Sequence, residues 1–530
     1  MRARGTGFVT SLVLGSALTA LSACGGGGGG SGPTTPTLPG TLGAIALEGG
    51  SAPGTGAGTF GAFGPSTLID VADGGWTAFV ATVAGGTSPK GLFVRRPDGV
   101  VVNVYLKNDA VPVSPSPYPG VGSILDFVRI WISPGIGTGA IVTAYVTITG
   151  SSVEGLVSAR VPSNGAATEK TGVIYLGRAL PTSRQALNTG NLVTLDPDLV
   201  QVDDQGDVFF IGVGSNAVNG VWTINRLGET ALYKAVAASG DFAPVNGTLG
   251  QAFDALGIDS NGLIVAYAVD VFNGPTHAII AQNNFQNSGV LVAQNTGQPP
   301  NVGARSFESV YGGGPIHVTT GSGTAFVVWE GNLTGAAPDI GVFTRQVLGG
   351  NILGLGSLLT MAYPGEGISG LGGGAFVTNI RLLDASLAPN RIPIFCDIGG
   401  GTSNRALFSA PDAATLTGVV AQGQTAPAPG GTTFTSSFPS LTIDGIKHGD
   451  YLGSLALSAV LANGSSGVFW AVFGSLFFQV VRQGDVAPGT SGGTFGSFAV
   501  ASPVLTASSF VVFTSTVAGG SSPSGLFIQG

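Results

Sequence analysis

Two cysteines, three histidines and a charged fraction of 9% leave this 530-residue chain poor in the groups most enzymes work with. Two cysteines, Cys24 and Cys396, cannot build a disulfide framework. His277, His317 and His448 fall in separate parts of the chain without metal-ligand spacing, and each reads as an isolated surface or loop residue. There is no basic run, and the formal net charge is −8, which argues against nucleic acid as a partner. No stretch keeps a helical period. What is plentiful is glycine, 90 residues, set at intervals between short apolar runs. With 43% apolar residues the chain can bury a large core, and glycine at that spacing punctuates many tight turns. Both point to an all-β protein.

A phrase of the type Gly-x-x-Ala-Pro recurs after apolar runs. Its copies carry Pro53, Pro112, Pro181, Pro244, Pro300, Pro427 and Pro488, with one degraded copy at Gly365-Glu366-Gly367-Ile368. The copy at Pro300 reads Gly297-Gln298-Pro299-Pro300. The period is about 62 residues, long enough for one supersecondary unit per repeat. A second phrase, Gly-apolar-aromatic, keeps the same phase at Gly91-Leu92-Phe93, Gly220-Val221-Trp222, Gly341-Val342-Phe343, Gly467-Val468-Phe469 and Gly525-Leu526-Phe527.

The first unit reads as four strands: Leu68–Val71, Trp76–Val83, Gly91–Val94 and Val100–Leu106, with turns at Asp73-Gly74-Gly75, Gly85-Gly86 and Pro97-Asp98-Gly99. The seventh repeats the plan with Ser440–Asp444, Leu452–Val460, Gly467–Val472 and Leu476–Arg482. Runs such as Val208-Phe209-Phe210-Ile211 are apolar on both faces, as sheets stacked between sheets require. Four-stranded sheets repeated radially form a β-propeller. The last unit supplies three strands, and Gly43–Glu48 has the character of a lone fourth. The expectation is therefore an eight-bladed propeller over residues 43–530, closed by its N-terminal strand. Seven blades with one unit lost to a cap, or two smaller propellers, are the alternatives.

Arg2 and Arg4 precede an apolar stretch, Phe8–Ala20, that ends in Leu21-Ser22-Ala23-Cys24. This is the layout of a secretory signal over residues 1–23, too short to span a bilayer. The cysteine after Leu-Ser-Ala resembles a bacterial lipobox, which implies cleavage before Cys24 and lipidation there. Several acyl chains on one residue anchor stably. Gly25 at the next position is similar to the pattern sorted to the outer membrane. Loss of the signal would remove Arg2 and Arg4 and move the net charge from −8 to −10. Residues 24–42, rich in Gly, Pro and Thr, read as a tether.

Ala72-Asp73-Gly74-Gly75-Trp76-Thr77-Ala78-Phe79, Asp203-Asp204-Gln205-Gly206 and Asp259-Ser260-Asn261-Gly262 carry a resemblance to a bacterial family of anchored tandem-repeat proteins. The family is named for an Asn-x-x-Gly-x-x-Ala-Phe phrase, and its repeats end in Gly-Asp-x-Ala-Pro. Here Asp replaces the leading Asn in two copies, and those two lack the closing Ala-Phe. The resemblance implies extracytoplasmic display and brings no catalytic residues with it.

Candidate chemistry is sparse. Asp196, Asp198, Asp203, Asp204 and Asp207 concentrate oxygen ligands that could serve calcium, with Asp203, Asp204 and Asp207 the closest set; the same residues also make an ordinary hairpin turn. Gly56–Gly61 matches a dinucleotide-binding pattern and Gly489–Gly493 a nucleophile-elbow pattern, but neither stands at a strand-to-helix junction. Cys396 reads as a small buried apolar residue. No other cofactor is called for. The leading expectation is a surface-anchored module that binds a protein or glycan, or serves as envelope scaffold. The alternative is a propeller enzyme, such as a polysaccharide lyase or glycosidase.

Overall fold

A computed structural model describes residues 40–530, apart from 113–121, 136–138, 150–152, 184–188, 230–231, 245, 285–288, 322–323, 336–339, 349–353, 369–374, 383–391, 401–402, 411–416, 425–432, 434–453, 473–475, 499–502 and 506–509. The described residues form antiparallel sheets in an eight-bladed β-propeller. Blade 1 runs from an inner strand in two pieces, Thr59–Phe60 and Ile69–Ala72, through Trp76–Ala84 and Lys90–Arg95 to the outer Val101–Leu106. Blades 2, 3 and 4 begin with inner strands Ile124–Ser133, Leu192–Val202 and Thr248–Ile258. Blades 5 and 6 follow the same order. Blade 7 shows Ser454–Val460, Ser466–Val472 and Leu476–Arg482; the expected strand Ser440–Asp444 lies outside the described residues. In blade 8 the N-terminal strand Leu42–Leu47 takes the outer place, antiparallel to Ser524–Gln529. Closure is tightened by Ser524, whose hydroxyl donates to Glu48 (2.6 Å) and accepts from the Phe63 amide (2.9 Å).

The core lies between blades. One apolar cluster joins Phe60, Phe79 and Phe93 of blade 1 to Val512, Leu526 and Ile528 of blade 8. Another joins Val80 and Leu92 to Val142 and Val157 of blade 2, and further clusters carry the packing round the ring. A blade covered on both faces must be apolar on both, as in Val208–Gly214.

The two repeated phrases now have physical causes. In Gly-x-aromatic the glycine and the ring, two residues apart on a strand, share one face. A Cβ on Gly91, Gly341 or Gly525 would meet the rings of Phe93, Phe343 or Phe527 at 2.9, 2.6 and 2.8 Å. Each of these rings meets the first aromatic of its own inner strand edge-on: Phe60–Phe93, Phe307–Phe343 and Phe495–Phe527, with centroids 5.1, 4.7 and 4.8 Å apart.

The Gly-x-x-Ala-Pro phrase latches one blade's outer strand to the next blade's inner strand. Between blades 3 and 4 the Gly240 amide donates to Leu249 O, the Leu249 amide to Asp241 O, and the Ala243 amide to Gly247 O. Gly484, Asp485 and Ala487 make the corresponding bonds before blade 8. The leading glycine holds a left-handed turn, φ 93° at both Gly240 and Gly484. In the junction before blade 5 the seat falls one residue earlier than the sequence alignment puts it. There Thr296, at φ 65°, donates to Phe307 O, and Gly297 takes the second place. Pro427 lies outside the described residues.

Candidate functional site

Inner strands bulge soon after their first apolar residue. One extra residue stands at Leu125 in blade 2, and Gly250, Gln251 and Ala252 oppose Asp270 alone in blade 4. Within an unbroken inner strand the longest bulge described is in blade 3, where Asp196, Pro197, Asp198 and Leu199 stand opposite the single Ile211. Pro197 cannot donate to a ladder, so the strand accommodates it only by leaving the ladder there. The bulge is fixed locally: Asp196 Oδ1 accepts the Asp198 amide (2.9 Å). It is also held from blade 2, where Arg129 Nη1 donates to Pro197 O (3.1 Å) and Asp198 Oδ1 (2.7 Å).

Beside this bulge lies a cavity of about 510 Å³, built from blades 2, 3 and 4. Leu176, Val193, Leu199, Ile211 and Phe253 supply its apolar surface. Glu154, Thr194, Asp196 and Asn219 supply its polar groups. None of the lining residues is Lys, Arg or His. Behind it, the buried Tyr145 hydroxyl is 2.5 Å from Glu154 Oε2 and 2.6 Å from Leu195 O, which ties the carboxylate of blade 2 to the start of the bulge. Burial, reinforced by the bond to Glu154 and the charge of Asp196, pushes the Tyr145 hydroxyl well above an ordinary phenol. It therefore stays a neutral donor.

The acidic run divides in space. Asp196 and Asp198 sit on the bulge, while Asp203, Asp204 and Asp207 occupy the turn at the far end of the same strand. Asp203 Oδ1 accepts the Gln205 and Asp207 amides (2.9 and 2.8 Å), and Asp207 Oδ1 accepts the Arg226 amide (3.2 Å). These two carboxylates act as turn acceptors. Among the described residues no group of three or more His, Cys, Asp or Glu is placed to hold a metal ion. Burial raises Asp203 to about 7, with the Asp207 and Asp204 charges adding to it. Asp259 caps the corresponding turn of blade 4 by accepting the Ile264 amide (2.8 Å). The family-like Asp-x-x-Gly phrase is thus a capped hairpin. Its glycine also abuts the preceding blade, since a Cβ on Gly262 would meet Asp203 Oδ2 at 2.6 Å and the Phe209 ring at 2.7 Å.

His277 Nε2 is 3.2 Å from Asp254 Oδ2, His317 opens the second inner piece of blade 5, and His448 lies outside the described residues. Neither His277 nor His317 belongs to a group of three or more potential metal ligands among the described residues. Cys396 is buried in the cluster of blades 5 to 7, and burial raises its thiol. Cys24, with the signal and most of the tether, lies outside the described residues. The two glycine patterns are matching turns: Thr55 and Thr490, both fully buried, donate their hydroxyls to Ala52 O and Ala487 O (2.6 Å each). Glu154, Tyr145 and Asn219 escaped the sequence reading. The available signal was Asp196-Pro197-Asp198, a proline between two carboxylates inside a strand.

Residues 395–529 match a protein family of unknown function (DUF7453). No curated protein matches the sequence. Among solved structures, an oligogalacturonate lyase in complex with manganese is 10% identical; 80% of this chain and 97% of that chain are covered, at a TM-score of 0.36. The β-propeller domain of a trilobed protease from Pyrococcus furiosus, described as having an open velcro topology, is also 10% identical. It covers 76% of this chain and 96% of its own, at a TM-score of 0.33. An ancestral GH74 enzyme is 12% identical over 88% of this chain and 48% of that one, at a TM-score of 0.31. Overlaps this loose transfer no residue roles.

Proposed function

We propose that this protein is a lipid-anchored propeller of the bacterial cell envelope, sorted to the outer membrane, that acts as a binding or scaffold module for a protein or glycan. The observation that carries the reading is the division of labour in the repeats. The recurring phrases go into latches and ring stacking, while one recess drawn from three blades carries convergent polar groups. The lipobox-like Leu21-Ser22-Ala23-Cys24 and the tether supply the attachment, and the repeat phrases resemble those of the anchored tandem-repeat family. Cys24→Ser should abolish acyl labelling and move the protein from the detergent phase to the aqueous phase. Unchanged partitioning would sink the anchor.

A second reading has one observation in its favour: Glu154, Asp196, Asp198, Arg129 and Tyr145 gather on one region of the ring, as a glycan-cleaving enzyme would need. Against it, Arg129 is held by Asp198, and the phenol of Tyr145 is buried and bonded, hence a poor base. Incubation with a panel of envelope and plant polysaccharides separates the readings. Depolymerisation that Glu154→Gln abolishes establishes the enzyme; capture of an intact glycan or protein establishes the module.

A further inference from the structure

Resting on the binding-module reading, we propose that the pocket of blades 2 to 4 receives an alkylammonium or guanidinium group. Its head would be held by Glu154 and Asp196, and its hydrocarbon stem would lie on Leu176, Val193 and Leu199.

The pocket has acceptors in excess of donors. Glu154 has one carboxylate oxygen engaged by Tyr145, and Asp196 has one engaged by the Asp198 amide; each keeps a second oxygen for a ligand. Asn219 donates one Nδ2 hydrogen to Gln251 O (2.6 Å), which leaves it one N–H and its amide oxygen to offer. The guanidinium beside the bulge, Arg129, is already committed to Asp198 and Pro197 O, and the lining itself holds no Lys, Arg or His. Two carboxylates in a lining with no cationic residue, set beside an apolar wall, complement a ligand that is cationic at one end and aliphatic behind it. A polyuronate would bring more negative charge to the same place and be repelled. A hard divalent cation would want six or more oxygens, and no set of three acidic or histidine ligands is available among the described residues.

The same head group could come from a free polyamine or from a lysine or arginine of a partner polypeptide, and the two are told apart by titration. The full chain in detergent is titrated at low salt with spermidine, with acetyl-trilysine amide and with maltotriose. Both cations should bind and maltotriose should not. Glu154→Gln, which keeps an acceptor for Tyr145, and Asp196→Asn should each weaken the cations about 10-fold, and the pair about 100-fold. Asp98→Asn, in a turn of blade 1, should change nothing. Raising salt from about 20 to about 200 mM should weaken binding severalfold. Tighter trilysine points to a polypeptide partner, and tighter spermidine to a free polyamine. An unshifted melting temperature in the variants shows that the loss is not unfolding. The proposal is overturned if neither cation binds at millimolar concentration, if the variants bind like the parent, or if maltotriose binds and the variants lose it. Should the cations fail while the protein still captures a glycan or protein, only this inference falls. Should it depolymerise a glycan, the binding-module reading falls as well.

Discussion

At the junction between blades 3 and 4 the chain uses Gly240, Asp241 and Ala243 for the same three hydrogen bonds that Gly484, Asp485 and Ala487 make between blades 7 and 8. The inner strands reached through such junctions share an apolar start and a bulge, but the bulge residues differ. They are Gly250-Gln251-Ala252 in blade 4, Gly496-Ser497 in blade 8 and Asp196-Pro197-Asp198-Leu199 in blade 3. A junction has one task wherever it occurs: to turn the chain and satisfy the same amides. A bulge is free of the ladder, so its side chains can change without loosening a sheet. Repetition therefore marks what holds the ring, and departure from repetition marks where the surface can be specialised.

The sharpest way to break that comparison is to open the ring. Deleting Gly43–Glu48 removes buried Ile45 and Ala46 and the ladder to Ser524–Gln529, together worth on the order of 5–10 kcal/mol. For a chain of this size that corresponds to roughly 5–10 °C in melting temperature. The exposed edge should also promote self-association, visible in light scattering. Deleting Gly25–Pro39 should do neither. A deletion of Gly43–Glu48 that melts like the parent and stays monomeric would show that the N-terminal strand is not the closing element.

Next in size is the pH response of a turn. Asp203 titrates near 7 in the folded protein against about 4 in an unfolded chain, chiefly through burial. Between those values the folded state keeps a proton that the unfolded chain has released. The stability this carboxyl contributes is complete below about pH 4 and lost as pH rises through 7. Asp203→Asn keeps an oxygen for the Gln205 and Asp207 amides and removes the titration. The variant should match the parent near pH 4 and melt a few °C higher at pH 8, a difference of a few kcal/mol. A gap that narrows between pH 4 and 8 would contradict this.

Much of the ring could be read from the sequence because its causes are local or periodic. The strand limits of blade 1, the closing strand and the turn role of Asp203 follow from alternating apolar runs, turn residues and one repeat period. The pocket could not be read that way. Glu154 lies on the third strand of blade 2 and Asp196 on the inner strand of blade 3; only the ring's curvature brings them together, through a tyrosine that reads as core. The copy at Thr296 shows a subtler limit. Thr296 occupies the left-handed seat that glycine holds at most other junctions and Asn108 holds before blade 2, so matching glycine to glycine placed the phrase one residue late.

Two glycines test whether a repeated residue serves its own turn or its neighbour. Gly240 has a left-handed φ of 93° with open space around its Cβ position, so Gly240→Ala should cost about 1 kcal/mol, from backbone strain. Gly262 is also left-handed, at φ 61°, but its Cβ would strike Asp203 and Phe209 of the preceding blade. Gly262→Ala should cost about 3 kcal/mol, since those neighbours are buried and cannot yield cheaply. Equal losses in denaturant melts would mean that the blade-to-blade contact is not what fixes the second glycine.

The smallest single effects belong to the latch carboxylates. Asp109, Asp241 and Asp485 each accept the amide three residues back, from Leu106, Ala238 and Arg482, at 2.9, 2.9 and 2.7 Å. Replacing one by Ala leaves that amide to water and should cost about 1 kcal/mol. Asn should recover most of it, because the acceptor oxygen stays. The three stand at different junctions with no shared partner, so the triple Ala variant should lose about 3 kcal/mol, close to the sum. None of them touches the recess of blades 2 to 4, so spermidine affinity should be unchanged while the melting point falls. If the triple variant loses far more than the sum, the junctions act as one cooperative hoop. If a single variant also loses the ligand, latch and bulge are not the separate regions that their hydrogen bonds describe.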